Sequence, residues 1–191
     1  MSMAYNIKDI FYLSTDVTID KATALGGSSQ LDLSAYIDPI ARGRQKGTGL
    51  AVYKVHVDMS QSGSPEPIDD AESGTARVGL VAGLGAGDNA TNAISLSNTI
   101  FNFTNSLLVA SYDFYGPRSM IANASTTPAM YNDMLKPSTD VPYVIVRDNV
   151  CLCYDQGAVF VADHIISVRL ECAQITLDQA TLNQLLRTQT V

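Results

Sequence analysis

Apolar and polar residues alternate along much of this chain, and a period of two predicts strands. Leu31, Leu33, Ala35 and Ile37 alternate with Asp32, Ser34 and Tyr36, the signature of a half-buried strand. Pro39 and residues 41–47 then make a turn. In the next strand Tyr53, Val55, Val57 and Met59 share one face, while Lys54, His56 and Asp58 share the other. Residues 60–74 hold two Pro, two Gly and four acids and read as a long exposed loop. Strands are expected at 75–84 and 106–114, separated by a Gly-rich turn and a neutral stretch, before Gly116-Pro117 breaks the chain.

Thr127-Pro128 resembles an N-cap followed by Pro at the first helical position, so a short helix is expected over 128–136, with Pro137 ending it. The last third is denser in β-branched runs, at 141–146, 150–154, 158–162 and 165–177. The spacers Asp148-Asn149, Asp155-Gln156-Gly157 and Asp163-His164 have hairpin-turn length. In the final run the apolar set changes parity near Cys172, which predicts a β-bulge or a bend. Asp178 then caps a C-terminal helix over 179–187 whose apolar positions are Leu182, Leu185 and Leu186. Eight to ten strands and two short helices define an all-β chain. Periodicity alone also allows one long sheet; the expected arrangement is an antiparallel β-sandwich, jelly-roll-like. Residues 1–191 are read as one domain, with 178–191 a candidate C-terminal arm.

Composition sharpens this picture. Only 16% of the 191 residues are charged, and the net charge is −7, against roughly 25% charged in an ordinary soluble domain. Ser, Thr and Asn together supply 42 residues, so neutral polar groups cover surface that Lys and Glu usually cover. The apolar share of 46% excludes intrinsic disorder. The acidic balance argues against direct nucleic-acid binding through a broad basic surface. The N-terminus lacks the basic and apolar regions of a signal peptide. The longest uncharged run, 89–112, is too rich in Asn, Ser and Thr for a membrane span.

Candidate chemistry is sparse. Cys151, Cys153 and Cys172 do not look like a disulfide framework: residues two apart on a strand lie about 6.6 Å from each other, near the upper limit for a bridge. Neither His has ligand spacing to these cysteines, so buried free thiols are expected. Gly83, Gly85 and Gly87 follow an apolar strand, yet Asp88 takes the place of the third glycine of a dinucleotide fingerprint. A turn needing positive φ is the better reading. His56 lies on a polar strand face and His164 in a turn beside Asp163, and neither forms a triad with a nucleophile. Asp69, Asp70 and Glu72 lack the calcium-loop pattern and read as a solvated acidic loop. Arg42, Arg44 and Lys46 form the one basic cluster, read as solvated, with phosphate or an acidic neighbour as alternatives. No catalytic residue, cofactor or metal is expected.

In strand count, length and loop style the chain resembles single jelly-roll virus capsid proteins; no residue motif carries that resemblance. It implies a non-enzymatic, self-assembling shell subunit located in the virion, whose partners are copies of itself and other structural proteins. One departure is that the first twenty residues hold one Lys and three Asp instead of a basic arm, so another component would neutralise a genome. Residues 78–112 contain Asp88 as their only charge, and the interface is expected there, at Asn89, Asn92, Asn98 and Asn102, together with Leu182, Leu185 and Leu186. Residues 89–105 should then be exposed in an isolated chain. The alternative is a carbohydrate- or ligand-binding sandwich with Tyr112, Phe114 and Tyr115 as its platform. A cupin-like enzyme would need more His than the two present.

Overall fold

A computed structural model of the chain describes residues 10–21, 26–38, 46–63, 72–83, 100–117 and 130–189. Nine strands are described: β1 (Phe11–Ile19), β2 (Gly27–Asp32), β3 (Lys46–Gln61), β4 (Thr75–Ala82), β5 (Leu108–Tyr115), β6 (Met130–Leu135), β7 (Tyr143–Ile145), β8 (Asn149–Ala158) and β9 (His164–Asp178). One helix, α1 (Gln179–Thr188), follows.

The strands form two antiparallel sheets, ordered β1-β9-β3-β7 and β2-β8-β4-β5-β6. The pairing is nested. β1 pairs with β9, β2 with β8, β3 with β7 and β4 with β5, so the first half of the chain meets the second half in reverse order. Leu50, Val52, Val55, Ile166, Val168 and Leu170 of one sheet meet Val78, Leu80, Tyr112, Phe114, Leu152 and Tyr154 of the other in one core. The chain is therefore an all-β sandwich. Across its middle the Tyr112 hydroxyl donates to the Val55 carbonyl at 2.9 Å, and burial, with Asp133 adding to it, pushes its pKa up. Tyr112→Phe is expected to lower stability by about 1–2 kcal/mol, because it orphans a buried carbonyl. Urea unfolding checks this; an unchanged midpoint would mean that water satisfies Val55.

Several expectations are corrected. Residues 130–135 are strand, not the helix expected over 128–136 (128 and 129 lie outside the described residues): β6 pairs with β5 at the sheet edge, and tertiary pairing overrides a local capping signal. The strand expected over 31–37 ends at Asp32, whose carboxylate accepts from the Ser34 amide. A turn follows, with Ile37 N donating to the Leu33 carbonyl. Leu33 and Ile37 are both buried, because residues four apart across a helical turn share a face just as alternate strand residues do. Asp155-Gln156-Gly157 is not a hairpin turn but part of β8, where the register shift against β4 leaves Gly157 as the extra residue. The other two spacers join strands that do not pair: β7 and β9 lie in one sheet and β8 in the other.

The parity change near Cys172 arises because both faces of β9 are covered. On β9 it needs no bulge: Ile166, Val168, Leu170 and Cys172 face the shared core, while Ala173, Ile175 and Leu177 face outward beneath α1 with Leu182. The bulge sits across the ladder on β3, between Val52 and Lys54. It moves the inward set from Leu50 and Val52 to Val55 and Met59, and it leaves Tyr53 in the outer cluster, not on one face with Val55.

α1 starts where Asp178 accepts from the Thr181 amide at 2.7 Å, bonds that hold the Asp178 carboxyl below its usual range. At its far end Gln189 closes the free edge of β7. Its side-chain oxygen accepts from Val146 N, its amide nitrogen donates to the Val144 carbonyl, and its own carbonyl accepts from Arg147 Nε. The Arg147 stem in turn lies over Gly83, at φ +60°, where a Cβ would fall 2.3 Å from Arg147 Cγ.

Candidate functional site

The outer face of the five-stranded sheet carries two adjoining regions, one apolar and one polar. Val81, Leu108, Cys151 and Cys153 form an apolar patch covered by Ile100, Phe101 and Leu107. The Phe101 ring lies directly over Gly79, where a Cβ would fall 2.6 Å from a ring carbon. One outward step along β4 from Gly79 is Arg77. Its cross-strand partners are Asp113 on β5 and Asp155 on β8, so an Asp–Arg–Asp row crosses three strands.

Asp113 is almost fully buried and grips Arg77 at both oxygens, 2.7 Å to Nε and 2.8 Å to Nη2. That bidentate bond raises the Arg77 pKa further, so the guanidinium stays charged and its plane is fixed. The row lines a groove of about 490 Å³ with Thr75, Phe101, Asn102, Tyr115 and Gly157.

No protein-family model matches this sequence, and no curated protein is significantly similar to it. Function therefore rests on the chain's own geometry.

Of the aromatic platform, Tyr112 and Phe114 are core residues, and Tyr115 alone is partly exposed. Its hydroxyl lies 3.5 Å from Asp113 Oδ2. Leu182 is fully buried against the chain's own sheet, with Leu185 and Leu186 packed beside it, so the helix docks in cis. Asn89, Asn92 and Asn98 lie outside the described residues, as do Asp69, Asp70, Arg42 and Arg44. Asn102 is exposed, and its side-chain oxygen accepts from Thr104 N and Oγ1, while Asn105 accepts from Leu107 N. These Asn hold the turns of their own segment. Within the described part of 89–105, Ile100 and Phe101 are buried, and Phe103 is 56% exposed.

Two acid–base residues are placed differently from expectation. Glu72 is not solvated but buried, and it accepts from Ser73 N, Gly74 N, Val161 N and Ala162 N. His164 is not in a turn: it opens β9, is buried, and lies 3.8 Å from Glu72 with Phe160 against its ring. The sequence hides this, since a carboxylate in a Pro/Gly/Asp-rich stretch looks solvated until residues 160–162 close over it. His56 lies on the outer face of β3, 3.7 Å from Glu171.

All three cysteines are free and buried. Cys153 donates to the Cys151 sulfur at 3.5 Å, and this bond together with burial raises the Cys153 pKa. Burial pushes Cys172 up to about 12. The bond from Cys153 lowers the Cys151 pKa, so burial and not protonation shields that thiol. Thiolates are the reactive form, and a thiol reagent at neutral pH is expected to label none of the three until the protein unfolds. Mass spectrometry before and after denaturant checks this; rapid labelling of the native protein would show that the cover over Cys151 and Cys153 opens. Among the described residues, no helix is long and apolar enough to cross a membrane.

Proposed function

We propose that this protein is a non-enzymatic, self-assembling structural subunit, a jelly-roll shell protein of a virus capsid that acts through contacts with copies of itself. The observation that carries this reading is the strand order. Nested pairs β1–β9, β2–β8, β3–β7 and β4–β5, in sheets ordered β1-β9-β3-β7 and β2-β8-β4-β5, are what winding an eight-stranded jelly roll would produce and support that reading; β6 adds one strand at an edge. Viral shell proteins are among the classes that use this architecture. Fold alone does not determine function, and composition supplies the second support. Residues 78–83 and 107–112 owe their lack of charge to burial in the chain's own sandwich, so this support is confined to 89–105, which carry no charge, as interface cores are depleted in charged groups. Phe103, exposed on this segment, is an apolar residue that a neighbouring subunit would cover. With a net charge of −7, such a subunit would reside in the virion and leave genome neutralisation to another component.

Light scattering coupled to size-exclusion chromatography, with negative-stain microscopy of the intact chain, tests the proposal. Oligomers or closed particles are expected. A monodisperse monomer at high concentration would overturn it.

A further inference from the structure

The groove across β8, β4 and β5 has a polarity that selects among ligands. Its floor is the row Asp155–Arg77–Asp113, set by direct cross-strand pairing. Asp113 takes Nε and one Nη2 hydrogen of Arg77, and a guanidinium has five N–H donors. Donors on Nη1 and Nη2 therefore remain, held in a fixed plane, on a side chain that is 46% exposed. Asp155 on the other flank supplies only acceptors. One cation between two carboxylates gives the row a net negative charge, so anions are disfavoured there. Phe101 and Tyr115 bound the groove on either side of the row, and Asn102 and Thr75 add an amide and a hydroxyl at its rim. The volume, about 490 Å³, falls within the range of roughly 300–1,000 Å³ typical of small-molecule sites.

We propose that this groove is a binding site for a neutral saccharide. A sugar hydroxyl is donor and acceptor at once, so adjacent hydroxyls on one ring match the alternation of Asp155 and Arg77. The same ring carries an apolar C–H face, which suits the aromatic side chains at the edges. A carboxylate or phosphate ligand meets two acids, and a purely apolar ligand would strip water from Arg77 and Asp155 without replacing its hydrogen bonds. The fixed pair Arg77–Asp113 also lowers the ordering cost of binding, because the guanidinium is positioned before the ligand arrives. The site does not depend on whether the chain assembles, and in a shell it would be a candidate for attachment to glycans.

Saturation-transfer NMR tests this, because it reads the ligand and tolerates a large assembly. The probes are methyl glycosides of glucose, galactose, mannose and fucose, with methylguanidinium and acetate as ionic comparisons. Transfer to at least one glycoside is expected in the wild type. It should fall at least tenfold in Asp155→Ala and in Asp155→Asn, which keeps the side-chain volume, and persist in Asp58→Ala on the opposite sheet. Circular dichroism of each variant confirms folding. No transfer to any glycoside, or transfer that survives both Asp155 variants, overturns the proposal; transfer to methylguanidinium alone would make the groove a cation site and overturn it equally.

Discussion

Glu72→Ala is expected to destabilise the protein by about 3–5 kcal/mol, the range for breaking a buried, hydrogen-bonded charge site. The wild-type carboxylate accepts from Ser73 N and Gly74 N at 2.8 Å, from Val161 N at 2.9 Å and from Ala162 N at 3.4 Å. Alanine leaves those amides without their acceptor at a position whose side chain is buried, and each orphaned buried donor costs about 1–3 kcal/mol. Relaxation of the two loops recovers part of that sum. Nor does His164 replace it: its Nε2 lies 3.8 Å from Glu72, beyond hydrogen-bond range, and its Nδ1 is engaged with the Ala162 carbonyl. Glu72→Gln keeps one oxygen but turns an NH₂ toward the remaining donors, so an intermediate loss is expected. Equilibrium urea unfolding of both variants measures the effect. A midpoint for Glu72→Ala equal to that of the wild type would refute a structural role for this carboxylate.

The second large effect is expected at Leu182. This side chain is fully buried between α1 and the outer face of the four-stranded sheet, against Ala173, Ile175 and Leu177. Gly47 below it has no room for a Cβ, which would fall 2.6 Å from a Leu182 methyl. Truncation to alanine therefore leaves a cavity that nothing nearby can fill, at a cost of about 2–5 kcal/mol. Amide exchange should rise first in α1 and in residues 173–177 beneath it. If exchange there is unchanged by Leu182→Ala, the helix is not held in cis, and a role as an arm for a neighbouring subunit regains its place.

Both effects depend on contacts between segments far apart in sequence, which is also why they were legible to different degrees. The helix could be read locally. Asp178 caps it, and Leu182, Leu185 and Leu186 recur at three- and four-residue spacing; only what they pack against needed the fold. The Glu72 site could not, because two of its four amide donors lie some 90 residues downstream. The Asp–Arg–Asp row was equally hidden. Arg77, Asp113 and Asp155 follow no spacing rule and become neighbours only through the register of three strands. The aromatic run at 112–115 drew attention as a platform, yet strand alternation and the depth of the core turn Tyr112 and Phe114 inward.

Strand identity, by contrast, was largely written in the alternation of side chains. β3 and β9 lie close to where the period of two places them, since a strand with one face buried must repeat every second residue; β4 and β5 lie close to the strands expected at 75–84 and 106–114 but are buried on both faces. The sequence alone also determined the shortage of charge and the state of the cysteines. Tertiary structure decided the rest. Residues 130–135 became a strand because β5 offered an unpaired edge, a gain larger than a helix cap provides. Short spacers that look like hairpins cross between sheets instead, because partner choice depends on which apolar faces must meet in the core. Alternation tells each strand which side to bury; only the packed molecule settles which strand lies beside it.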